Sequence, residues 1–153
     1  MGTPKGTGWE LRGLAALLAV VSMVPLAGHA SAPAGRYTVS AETVYDTVTK
    51  LTWQRAATST KRNWANSKSY CASLSLAGFA SGWRLPTVSE LETLVDRTTY
   101  YPAIDSTAFP GTSPAYFWSS SPDNDGSAWY VDFHDGVSRM ANQVMDYRAR
   151  CVR

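Results

Sequence analysis

Two cysteines, Cys71 and Cys151, stand far apart in a chain that opens on an export-type leader, and they constrain the fold more than any other feature. Thiols persist in the cytosol, whereas an even cysteine count in an exported domain reads as a disulfide. Joining these two closes a loop of about 80 residues, which the chain-entropy model values at roughly 4–5 kcal/mol before native strain is subtracted. A redox pair or a thiolate metal site needs closely spaced cysteines or histidine partners. Neither is present, since His134 is the only histidine after residue 30. A structural Cys71–Cys151 bridge is therefore expected.

The leader carries that argument. Lys5 and Arg12 form a basic start, diluted by Glu10, and Leu14 to Ala27 is almost wholly apolar. About fourteen residues suit the core of a signal peptide and fall short of the ~20 that a bilayer-spanning helix needs. Gly28 and Ala30 then offer small residues for cleavage after Ala30, ahead of Pro33. We expect a signal peptide over 1–30, a short polar lead-in over 31–36 and one domain over 37–153. The alternative is an uncleaved N-terminal anchor helix. Without Lys5, Arg12 and Glu10 the remaining charges nearly cancel. Such a chain has no general pull toward nucleic acid or membrane, and it holds all eight tyrosines and most of the tryptophans.

Periodicity places the elements. Residues 36–44 and 51–54 read as an N-terminal hairpin. Asn63 is a plausible cap for a helix from Trp64 to Leu76, stopped by Gly78, with Trp64, Cys71 and Leu74 on its inner face. Thr87-Val88-Ser89-Glu90 is a capping box, and Val88, Leu91, Leu94 and Val95 form the apolar stripe behind it. Residues 98–116 carry Pro102, Pro110 and Pro114 and read as a long loop, a common place for function. Strands follow around Phe117-Trp118 and over 129–134, with inward Trp129, Val131 and Phe133, then an Asp135-Gly136 hairpin turn. A return strand over 137–140 and a last strand over 147–152 complete an α+β order: two helices packed on antiparallel strands, with the N- and C-terminal strands adjacent.

The segments LTWQR (51–55), GWRLPTVSELETLVD (82–96), FWSSS (117–121), AWYVDF (128–133) and RARCVR (148–153) resemble the Lcl C-terminal domain family of bacterial exported domains. The resemblance covers about residues 37–153 and implies a C-type-lectin-like fold. One member of the family caps a collagen-like adhesin associated with sulfated glycans. One departure is Thr49-Lys50, where the family usually has Thr-Gly before LTW; the turn is expected to differ, because lysine disfavours positive φ. GWRLPT also resembles formylglycine-generating enzymes, which use a close cysteine pair to hold copper. This chain has only Cys71 and Cys151, so Trp83 and Leu85 are read as core and Arg84 as a partner for a carboxylate or buried carbonyls.

Asp123-Asn124-Asp125-Gly126 has the oxygen density of a calcium loop but lacks a downstream bidentate glutamate, so a solvated turn is the preferred reading and no cofactor is expected. If Cys151 points inward, alternation puts Arg148 and Arg150 on the opposite face, where with Arg139 they would grip sulfate or carboxylate groups. The competing reading pairs these arginines with Asp132, Asp135 or Asp146. Tyr100, Tyr101, Tyr116 and Tyr130 are expected to be exposed enough to stack on sugars, whereas Trp53, Trp64, Trp83, Trp118 and Trp129 are expected in the core. Ser119 to Ser121 and His134 offer hydroxyls and an imidazole with no evident nucleophile–base order. The expectation is a non-catalytic, exported adhesin-type module, periplasmic or secreted, that recognises a surface glycan or a protein. A modifying enzyme of the formylglycine-generating kind and a purely structural envelope component are the rivals.

Overall fold

A computed structural model describes residues 1–2 and 33–153. The expected leader over 1–30 falls, beyond its first two residues, outside the described residues. Among the described residues no helix is long and apolar enough to cross a membrane.

The fold is α+β, with two antiparallel three-stranded sheets and two short helices among the described residues. The first sheet runs β1 (Tyr37–Val39), β2 (Thr43–Asp46) and β3 (Thr52–Gln54), in that order. Residues 36–44 are thus not one strand. Ser40, a turn-forming residue, donates its N–H to the Thr43 carbonyl at 2.8 Å, so β1 and β2 are already a hairpin. The β2–β3 loop is organised by Asp46, which is buried and accepts the Val48 N–H at 2.9 Å and the Arg36 guanidinium at 2.7 Å. Lys50 in this loop has φ 62°, so the turn keeps its left-handed residue even with lysine there.

Helix α1 (Trp64–Ala72) starts where expected: the Asn63 side chain accepts the Asn66 N–H at 2.9 Å. It stops short of Leu76, because Ser69 and Ser73 turn their hydroxyls back onto the Ala65 and Tyr70 carbonyls. Gly78 is not its stop. With Ala77 it forms a tight turn, both at positive φ, across which Leu76 and Phe79 exchange two backbone hydrogen bonds. Helix α2 (Val88–Glu92) opens with both halves of the capping box made between Thr87 and Glu90. It is shorter than its apolar stripe. Leu91 ends up buried inside it, and Leu94 is buried just after it.

The second sheet is β4 (Tyr116–Pro122), β5 (Ser127–Asp132) and β6 (Val137–Asn142). The expected half-buried alternation in β5 does not hold. Tyr130, Val131 and Asp132 are all buried, since both faces of this central strand are covered, and Trp129 is only partly buried. The hairpin after β5 uses residues 133–136 rather than a two-residue turn, with Asp132 opposite Val137. Gly136 sits there at φ 74°, and a Cβ on it would come within 2.5 Å of the Val95 side chain.

The long stretch 98–116 is less a free loop than part of the core. Ala103 is buried, and Ile104, Ala108 and Phe109 are buried in one cluster with Trp53, Phe117 and Phe133. A second cluster gathers Trp83, Leu85, Trp118 and Tyr130 around the Cys71–Cys151 disulfide. Residues 147–152, expected as a strand, instead form, with Arg153, a seam of single bridges. Arg148 pairs with Phe117 of β4, and Val152 lies between Trp53 of β3 and Arg84. The end of the chain therefore lies beside the N-terminal sheet and fastens it to the second one.

Candidate functional site

The register of β4 on β5 sets Tyr116 opposite Asp132 and Trp118 opposite Tyr130. The seam brings Tyr147 against both. Tyr147 lies 5.0 Å from Tyr116, 4.9 Å from Tyr130 and 4.6 Å from Trp118, ring centre to ring centre. Trp118 anchors the cluster, its indole N–H pointing at the carbonyls of Arg62 (3.1 Å) and Met145 (3.2 Å). Burial raises the phenol pKa of Tyr130, helped by Tyr147, and that of Tyr147, helped by Tyr116, so both hydroxyls stay protonated.

Beside this cluster opens a groove of about 520 Å³, lined by Tyr116, Tyr147, Asp132, His134, Asp146 and Lys61, with Pro114, Ala115 and Met145 between them. That is within the range of roughly 300–1,000 Å³ typical of small-ligand sites. Asp132 is fixed by two contacts: it accepts the His134 N–H at 2.9 Å and an Arg139 N–H at 3.2 Å. His134 joins the groove to a second aromatic pair. Its Nε2 lies 3.2 Å from the Tyr100 hydroxyl, and the Tyr101 ring centre is 5.0 Å from its own. Tyr100 and Tyr101 are exposed, as expected, and so is Tyr116 at 44%.

Other expected site residues lie elsewhere. Tyr130 is not a surface platform: 7% of it is exposed, because Tyr116, Tyr147 and Trp118 pack around it. Arg148 and Arg150 do not share an anion-gripping face. Alternation fails because the seam is covered on both sides, leaving Ala149, Arg150, Cys151 and Val152 all buried. Arg150 donates to the Gln54 and Arg55 carbonyls (2.9 and 2.6 Å) and to Thr112 Oγ1 (2.7 Å). Burial lowers its pKa to about 9, so it still carries its charge at neutral pH. Arg148 donates to the Thr58 carbonyl at 3.1 Å. Only Arg139 follows the acid-pairing reading, bridging Asp132 and Asp135. Trp53, Trp83 and Trp118 are core; Trp64 and Trp129 are partly exposed.

Asp123, Asn124 and Asp125 form a turn in which Asp125 accepts the Ser127 N–H at 3.0 Å. Among the described residues no three His, Cys, Asp or Glu side chains converge as metal ligands do. Arg84 grips both oxygens of Glu90, at 2.7 and 2.6 Å, and so braces the start of α2; that contact holds the Glu90 carboxyl below its usual range. Cys71 and Cys151 are joined and fully buried.

Sequence reasoning reached Tyr116 but missed Tyr147, Lys61, Asp132 and His134 as co-lining residues. The β4–β5 pairing held part of the signal, since a hairpin across 122–127 sets Tyr116 beside Asp132. Nothing local signals Tyr147, which arrives through the seam. Residues 42–153 match the model described as the Lcl C-terminal domain. No curated protein matches the chain.

Proposed function

This chain belongs to the Lcl C-terminal domain family, and from that premise we propose that it is an exported, non-catalytic binding module of C-type-lectin-like fold whose groove takes a surface glycan. The observation that carries the reading is the groove itself. It joins the partly exposed rings of Tyr116 and Tyr147 to the fixed carboxylate of Asp132. Tyrosine faces cover the apolar C–H surface of a sugar ring, and carboxylates accept its hydroxyls. The rival copper-thiolate chemistry would require two free thiols, whereas Cys71 and Cys151 are spent on a bond.

The test is a glycan array probed with the purified chain, with calcium and after its removal, alongside Tyr116→Ala. The wild type should retain glycans equally in both conditions. The variant should bind roughly tenfold or more weakly, the usual effect of truncating an anchoring aromatic. Retention of no glycan, as expected of a protein-binding module or a purely structural envelope component, would overturn the proposal. So would a variant that binds as the wild type does.

A further inference from the structure

The charge lining the groove narrows the class of glycan. Lys61 is the one Lys or Arg among the lining residues, against the carboxylates of Asp132 and Asp146. Asp146 forms no ion pair among the described residues. The arginines that might reverse this balance are committed elsewhere. Arg139 reaches Asp132 with one nitrogen and holds Asp135 with the other at 2.7 Å. Arg148 is turned onto the Thr58 carbonyl, and Arg150 is 0% exposed.

A sulfated or carboxylated chain entering here would set its anions against Asp132 and Asp146, with Lys61 and an Arg139 already shared between Asp132 and Asp135 as the cations nearby. Like charges a few ångströms apart repel, and the repulsion grows where the wall is partly desolvated. An uncharged sugar meets no such barrier. Its hydroxyls donate to the Asp132 and Asp146 oxygens, and its ring oxygens accept from Lys61 and from tyrosine hydroxyls. The phenols of Tyr116 and Tyr147, which line the groove, have no protein hydrogen-bond partner among the described residues, which leaves them free for this role.

We infer that the groove selects uncharged oligosaccharides, of hexose or N-acetylhexosamine type, over sulfated polyanions. The inference rests on the glycan-binding reading and sharpens it.

The experiment prints neutral hexose and N-acetylhexosamine oligosaccharides beside heparin and chondroitin sulfate, and reads binding of the full chain at low and high salt. The expected result is retention on neutral probes that changes by less than about twofold between about 50 and about 500 mM salt, since an uncharged ligand forms no ion pair with the groove for salt to screen. Tyr116→Ala should weaken it by roughly tenfold or more. Preferential retention on heparin that fades with salt and is lost in Tyr116→Ala would overturn the selectivity while leaving the groove as the glycan site. Heparin binding untouched by Tyr116→Ala would overturn both, and so would an array blank for every probe.

Discussion

Arg150 is a buried cation with no carboxylate beside it among the described residues. Two backbone carbonyls and the Thr112 hydroxyl take its protons, and the Phe109 ring lies 4.6 Å from its carbon centre. Its Nε has no hydrogen-bond partner among the described residues. A buried charge is tolerated only where hydrogen bonds replace water, so the side chain ties residues 54–55 and 112 together from the inside. Arg150→Gln should lower stability by about 2–4 kcal/mol, as expected when hydrogen bonds to a buried charged group are lost. Denaturant unfolding measures that loss, and glycan binding by the folded variant should stay unchanged. Weakened binding at full stability would return Arg150 to the ligand site. Lys50 makes the opposite point. It holds φ 62° because its N–H is tied to the Asp46 carbonyl at 2.8 Å. Glycine takes that conformation without a Cβ penalty, so Lys50→Gly should raise stability by about 0.5–1 kcal/mol. An unchanged or lower melting temperature would refute this.

Among the elements, the β5–β6 hairpin is held closely at its turn. Its turn carries His134 and Asp135, and Gly136 closes it against Val95 and Ala103. A Cβ there meets both a positive φ and the Val95 methyl group, and either alone is unfavourable. Gly136→Ala should cost roughly 2–3 kcal/mol, read by denaturant unfolding, and should disturb the Tyr100–His134 contact. A neutral effect would mean that α2 and its following turn yield easily. Elements whose signals are local were legible in the sequence. The Thr87–Glu90 box and the Asn63 cap each need only residues within one turn, and each is formed as read. The extent of α1 was not legible, because Ser69 and Ser73 compete for backbone carbonyls in a way that apolar spacing does not report. The faces of the seam were not legible either. Alternation sorts residues only where one side of a strand meets water, and Arg150 has core on every side. The groove was half legible for the same reason: Tyr116 belongs to a recognisable strand, whereas Tyr147 is placed by long-range bridges alone.

For the whole molecule the disulfide is the widest constraint. It links α1 to the seam across a sequence separation of 80 and sits inside the cluster formed by Trp83, Trp118 and Tyr130. Cross-linking residues so far apart restricts the unfolded chain, and native bridges in small domains are typically worth about 2–5 kcal/mol. Replacing Cys71 and Cys151 together by serine should lower stability by that amount, read by thermal or denaturant unfolding. A double variant melting within about a degree of the parent would refute it, since 1 kcal/mol moves the midpoint of a domain this size by several degrees.

The seam also sets an order of events. A polypeptide that emerges N-terminal end first presents β1 through β6 before the residues that fasten them together. Thr52 exchanges both backbone hydrogen bonds with Arg153, Gln54 donates to Cys151, and Arg84 exchanges both with Val152. Until residues 147–153 arrive, Trp53 and Phe117 lack their cover and the first sheet lacks its neighbour. Contacts of such long sequence separation form late and slowly. Closure of the first sheet onto the second therefore waits for residues 147–153, whatever has formed before them.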